Sequence, residues 1–164
     1  MQRRLIVMRH AKSSWDHPGL SDHRRPLNDR GRRDAPRVAE ALLEMGWVPD
    51  VVVSSDSTRT RETWELMAPV FDEEPEVIWD HNLYHAGVDE VYQALLGLDD
   101  DVETVMVLGH NPGWESVVSH FAGVYETMTT ANAALLLGEG EEWPDAVTPN
   151  GFELQTIIRP RDLE

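Results

Sequence analysis

"LIVMRHAKSS", residues 5–14, sets four apolar residues directly before an arginine, a histidine and a run of small polar residues. An apolar run this short, bounded by polar residues, suits a buried strand better than a helix. Beyond it, Ala35, Val38, Ala39, Leu42 and Leu43 recur at helical spacing and Gly46 follows, so residues 29–46 read as a helix capped by Asn28 or Asp29. The alternation repeats along the chain. Strands are expected at residues 50–54, 76–79 and 104–108, and helices at 57–67, 88–98 and 114–122, with Pro69 and Gly109 as breaks. Runs at 131–137 and 152–158 close the pattern as strands of a partly antiparallel edge, with residues 139–151 as a Gly-, Pro- and acid-rich loop. Strands alternating with helices predict an α/β fold, a three-layer α/β/α sandwich around a mostly parallel mixed sheet. At 164 residues without repeats or a linker, one domain over residues 1–164 is expected.

Composition narrows the function. The formal net charge is −16, which opposes attraction to nucleic acids or anionic membranes. Arginines nevertheless crowd residues 3–37, a local basic end suited to an anionic ligand. There is no cysteine, hence no disulfide, no thiol nucleophile and no Cys-based zinc site. The N-terminal apolar run is too short for a signal peptide, and no stretch approaches a membrane span. A cytoplasmic location is expected.

The chemistry emerges when the strand ends are set side by side. The first strand ends in Arg9-His10. The second ends in Ser54-Ser55, with Arg59 and Arg61 on the first turn of the next helix. A later one ends in Gly109-His110-Asn111-Pro112. In open α/β sheets ligands bind outside the carboxyl ends of the strands, so all three groups are candidates for one pocket. Two histidines and one or two arginines suit a phosphoryl group, because guanidinium grips phosphate oxygens through a rigid fork and helix N-termini add backbone donors.

These residues resemble the histidine phosphatase superfamily (phosphoglycerate-mutase-like fold). R-H-A-K-S-S-W-D begins at Arg9, S-S-D-S-T-R-T-R-E-T at Ser54 and G-H-N-P at Gly109. The short chain, the R-H-A-K-S opening, the D-x-x-R-P-L-N-x-x-G segment from Asp22 to Gly31 and the G-F-E-L and R-P-R-D-L ending are most similar to its SixA-type phosphohistidine phosphatase branch. The resemblance implies His10 as nucleophile and a phosphate pocket of Arg9, Arg59 and His110, with Ser13 near the phosphate. Ser55, Asp56 and Thr63 then shape the loop and helix start, and Asn111-Pro112 fixes the turn carrying His110. Asp16 stands where many mutase-like relatives have Asn, and its charge argues against a place on the phosphate.

Imidazole is largely uncharged at neutral pH. His10 can attack phosphorus if one ring nitrogen is free and the other donates, for which a backbone carbonyl in the following turn is the natural acceptor. Arg9, Arg59 and a protonated His110 would surround the equatorial oxygens, so neither metal nor cofactor is called for. The acid that protonates the leaving group is less defined. Where relatives carry a Glu, this chain reads "DHNLYHAGVDE", leaving His85, His81, Asp80 or no acid at all. A phosphohistidine substrate fits the last case, since imidazole departs more easily than an alkoxide. The expected enzyme is therefore a phosphatase acting on phosphohistidine in a phosphorylated protein partner. Its alternatives are a phosphatase of small phosphomonoesters and a phosphate-binding regulatory protein without turnover. His17, His23 and His120 read as surface or helix residues, Trp15 as a possible pocket wall, and Asp22–Arg25 as an ion pair shaping a loop from which Arg25 could also reach substrate.

Overall fold

The computed structural model describes residues 1–163. Six strands form one sheet in the order β3-β2-β4-β1-β5-β6. They are β1 (Gln2–Arg9), β2 (Val51–Ser54), β3 (Glu76–Trp79), β4 (Thr104–Gly109), β5 (Ala133–Glu139) and β6 (Phe152–Ile158). The pairs β1–β4, β2–β4 and β2–β3 are parallel, and β5 runs antiparallel to both β1 and β6. This is the mixed, mostly parallel sheet that the apolar runs predict.

The four inner strands β2, β4, β1 and β5 are buried on both faces, which is why they are nearly continuous apolar runs rather than alternating ones. Along β1 the pleat sends Leu5 and Val7 to one face and Ile6 and Met8 to the other, all four inaccessible to solvent. On the Ile6 face lie α1 (Asp29–Met45) and α2 (Thr58–Met67), through Val38, Leu42 and Met67. On the Leu5 face lie α3 (Val88–Leu96) and α4 (Gly113–Ala122), through Leu95, Val117 and Phe121. Burying each such side chain stabilises the fold by about 1.5–3 kcal/mol.

Helix boundaries follow local chemistry. Asn28 caps α1 by accepting from the Gly31 amide at 2.9 Å, and Gly46 closes it in the left-handed region at φ 75°. Ser57 caps α2 through the Thr60 amide. One expectation fails. Residues 139–151 are not wholly loop, for Trp143–Ala146 form a helical turn, α5. Its Trp143 is fully buried and donates Nε1–H to the Val102 carbonyl at 2.8 Å. A single turn is too short to show the 3.6-residue period. β1 likewise begins earlier than its apolar run, because Arg3 is fully buried and donates to the carbonyls of Asp100, Val102, Gly140 and Glu141.

Adjacent strands β1 and β4 send their chains to opposite faces, β1 toward α1 and β4 toward α4. Such a reversal opens a crevice at the carboxyl edge of the sheet. Among the described residues no helix is long and apolar enough to cross a membrane.

Candidate active site

At that crevice lies a cavity of about 310 Å³. Its lining includes Arg9, His10, Lys12, Ser13, Trp15, Asp22, Arg25, Arg59, His85, His110, Asn111 and Thr130. Four cationic side chains face a single carboxylate, in a protein whose body is strongly acidic. A small concave site of this charge is built for an anion.

His10 is held from three sides. Its amide donates to the Gly109 carbonyl at 3.0 Å, its carbonyl accepts from Ala131 at 2.9 Å, and the next amide, of Ala11, donates to Thr63 Oγ1 at 3.0 Å. The ring nitrogen Nδ1 stands 2.7 Å from the Ala11 carbonyl. A carbonyl can only accept, so Nδ1 carries the proton and Nε2 keeps its lone pair. Burial pushes the His10 pKa down to about 3, helped by the charges of Arg59, Arg9 and Arg25 and opposed by the bond to Ala11. The imidazole is therefore neutral at physiological pH, with one nitrogen free.

Arg59 projects from the first turn of α2 and is 4% exposed. Its Nη1 donates to the Asp22 carbonyl at 2.7 Å and its Nη2 to Asp22 Oδ2 at 3.0 Å. Arg9 reaches in from the end of β1, donating from Nη1 to the Met128 carbonyl at 3.1 Å. The Nε atoms of both arginines are buried without a protein partner.

His110 follows β4, its ring centroid 5.2 Å from that of His10. Its Nε2 lies 2.8 Å from Ser55 Oγ, and its Nδ1 is buried without a partner. Burial lowers its pKa to about 2, with His10, Arg59 and His85 acting the same way and Asp22 opposing. His110 is neutral in the unliganded protein, and only an arriving anion could supply the charge that favours its protonation.

The other predicted residues divide. Ser13 is buried and lines the cavity. Arg25 does too, bonding Asp22 through Nε at 3.2 Å while its guanidinium lies 3.5 Å from the Trp15 ring centroid. Trp15 walls the mouth with 73% of its surface exposed. Asp16 is exposed and absent from the lining. Of the candidate acids, only His85 lines the cavity, at its rim. It has φ 58°, a side chain 67% exposed and Nε2 3.9 Å from Asp22 Oδ2. Asp80 instead caps its own turn through the Asn82 amide, and His81 bonds Asp56.

Two participants escape the sequence reading. Asp22 does more than pair with Arg25, since it also occupies the fork of Arg59 and accepts from Tyr84 Oη at 2.5 Å. Burial raises its pKa, but the hydrogen bonds from Tyr84 and Arg59, with the charges of Arg59 and Arg25, outweigh that and hold it far below the usual carboxylate range. The D-x-x-R spacing was the available signal for Asp22; nothing marked Tyr84. Beside the cavity, His23, Asp56 and His81 form the one group of potential metal ligands that converges among the described residues.

A neutral histidine flanked by arginines at a strand end, facing a second histidine, is an arrangement suited to a phosphoryl group, on a phosphoglycerate-mutase-like fold. The sequence model of the histidine phosphatase superfamily (branch 1) matches residues 5–85. An uncharacterized chloroplastic protein of Arabidopsis thaliana is 40% identical over 172 residues, covering 98% of this chain and 79% of that protein. An uncharacterized protein of Mycobacterium tuberculosis is 33% identical over 143 residues, covering 84% and 81%. Among solved structures, the putative phosphohistidine phosphatase SixA of Nakamurella multipartita superposes with a TM-score of 0.83 at 28% identity, over 98% of this chain and 97% of that one. The putative SixA of Agrobacterium tumefaciens gives 0.78 at 25%, over 96% and 98%. The chain belongs to the histidine phosphatase superfamily, as a phosphatase of the SixA type.

Proposed function

We propose that the protein is a cytoplasmic, metal-independent phosphatase that works through a phosphohistidine intermediate at His10 and acts on phosphohistidine carried by a protein partner. The observation that carries this reading is the bond from His10 Nδ1–H to the Ala11 carbonyl, which leaves a neutral Nε2 lone pair facing the cationic cavity. Nε2 attacks phosphorus in line with the leaving nitrogen. The new N–P bond forms as the old one breaks, and the electron pair goes to the departing imidazole. Where the other nitrogen of that imidazole is protonated, it leaves as a neutral ring. Arg9 and Arg59 stabilise the equatorial oxygens, and His110 joins them as the incoming charge favours its protonation. Water then attacks the phosphohistidine, releasing phosphate and returning His10 to its neutral form.

The substrate class rests on the missing acid. The nearest carboxyl, Asp22, is ionised and has no proton to give. His85 stands at the exposed rim. An alkoxide leaving group needs a proton in the transition state, whereas a protonated imidazole leaves without one. A phosphohistidine peptide should therefore be turned over faster than sugar phosphates and other alkyl phosphomonoesters, with an alkali-stable, acid-labile label trapped on His10 during turnover. Faster hydrolysis of the small esters would overturn the substrate assignment. An unlabelled His10 in an enzyme that still turns over would overturn the intermediate.

A further inference from the structure

Next to the phosphate cavity, three loops distant in sequence bring one carboxylate and two imidazoles together. His23 sits on the 3₁₀ turn Asp22–Arg24, Asp56 between β2 and α2, and His81 on the 3₁₀ turn His81–Leu83. His23 Nε2 lies 2.9 Å from Asp56 Oδ1, and His81 Nδ1 lies 3.0 Å from both oxygens of the same carboxylate. All the candidate ligand atoms fall within 4.8 Å of one another. We infer that His23, Asp56 and His81 bind a first-row divalent cation, zinc above all, with water completing the coordination.

The donor set is that of an open zinc site, two imidazoles and one carboxylate with a vacant fourth position. Zinc–ligand bonds of about 2.0–2.1 Å place tetrahedral ligand atoms roughly 3.4 Å apart, so each imidazole nitrogen, now 2.9–3.0 Å from the carboxylate, would draw back by about 0.4 Å. The shift required is small. It falls mainly on His81, whose side chain is 70% exposed, whereas His23 is packed edge-on against Tyr84 at 4.8 Å. Hydrogen bonds alone would hold the carboxylate with two N–H donors. A cation takes the lone pairs of both rings and the charge of the carboxylate at once.

The ion would lie outside the phosphate cavity yet brace its wall. His23 follows Asp22, which holds the fork of Arg59, and Asp56 follows Ser55, which bonds His110. Cation binding would thus tie together the loops that position the two groups.

The test uses the full-length enzyme stripped with a chelator and titrated calorimetrically with zinc, and with cobalt for its visible ligand-field absorption. One equivalent should bind at micromolar metal and raise the melting temperature. His23→Ala and His81→Ala should each weaken binding by roughly 100-fold or more, since even loss of an outer-shell contact costs 10–100-fold. His81 is exposed enough for its variant to fold. His10→Ala should leave both the stoichiometry and the cobalt spectrum unchanged. Three results each overturn the assignment: no stoichiometric binding, binding that survives both His23→Ala and His81→Ala, or binding lost in His10→Ala, which would move the ion into the phosphate cavity.

Discussion

Replacing Asp22 with Asn should tighten the binding of phosphate and orthovanadate. In the unliganded protein the Asp22 carboxylate occupies Arg59, with Nη2 at 3.0 Å, while the Asp22 carbonyl takes Nη1 at 2.7 Å. A phosphate that engages the same guanidinium would lie within about 4–6 Å of that carboxylate. Two unit charges about 4 Å apart interact by about 1 kcal/mol in water and about 4 kcal/mol at an effective dielectric of 20. The Asp22 side chain is 44% exposed, so the aqueous end applies, and a dianion doubles it to about 2 kcal/mol of repulsion. Asn keeps the shape and one acceptor for Arg59 or Tyr84, but its weaker hydrogen bonds relax Arg59 at a cost of about 1 kcal/mol. The remainder, about 1 kcal/mol, is roughly a fivefold gain in affinity. Titration calorimetry with orthovanadate near neutral pH measures it, and the gain should shrink with added salt. Unchanged or weaker binding would refute the reasoning and make Asp22 a support for Arg59 rather than a rival of the anion.

His10→Ala should abolish turnover and phosphoryl labelling while leaving the circular dichroism spectrum and measurable phosphate affinity, because the arginines remain. Arg59→Lys should lower kcat about 100-fold, since an ammonium cannot reproduce the fork; single-turnover rates on a phosphohistidine peptide check this. His85→Ala should leave that peptide's turnover within about threefold while slowing sugar phosphates more, since their alkoxide leaving group is the one that needs a proton. Stability should fall on the acid side. His10 and His110 have folded pKa values of about 3 and about 2, so both stay neutral while their unfolded counterparts charge below about 6.5. Their contribution is whole above the unfolded value and is lost as pH falls toward 3, at up to about 1.4 kcal/mol per pH unit for each. Urea unfolding between pH 7 and pH 4 should show a shallower loss in His10→Asn/His110→Asn, and equal slopes would contradict the burial of neutral rings.

The parts of the fold legible in the sequence are those whose residues repeat with a local period. The core strands are nearly unbroken apolar runs because both faces of the sheet are covered, and α1 is a clear stripe with its cap and its Gly46 stop. His10, Arg59 and His110 were legible for a different reason. Each follows a strand, and an open α/β sheet gathers strand ends at one edge. What stayed hidden depends on contacts without local pattern. Arg3 looks like a surface residue until its guanidinium is seen satisfying four carbonyls at the far end of the sheet. The neutral state of His110 in the empty site was hidden because the charge of a buried ring depends on desolvation, which a sequence does not display. His23 and His81 meet at Asp56 from 33 and 25 residues away, through loops with no periodicity.

That last group changes the meaning of the segment before α1. Residues 22–25 read as a loop shaped by one ion pair, yet they join everything beside the phosphate. Asp22 links Arg59, Arg25 and Tyr84, and Arg25 carries the stacked Trp15 at the mouth. His23, the next residue, ties the same turn to Asp56, whose neighbour Ser55 holds His110. An anion that displaces Asp22 from Arg59 must therefore pull on a turn anchored at His23, so anion affinity depends on how firmly that anchor holds. If the anchor is a cation, removing it should loosen Asp22 and bring the affinity of the wild-type protein for vanadate closer to that of Asp22→Asn. In Asp22→Asn itself the cation should matter far less, because the competing charge is already gone. The non-additivity of those two changes, measured as a cycle, would report the coupling between the histidine cluster and the phosphate cavity directly.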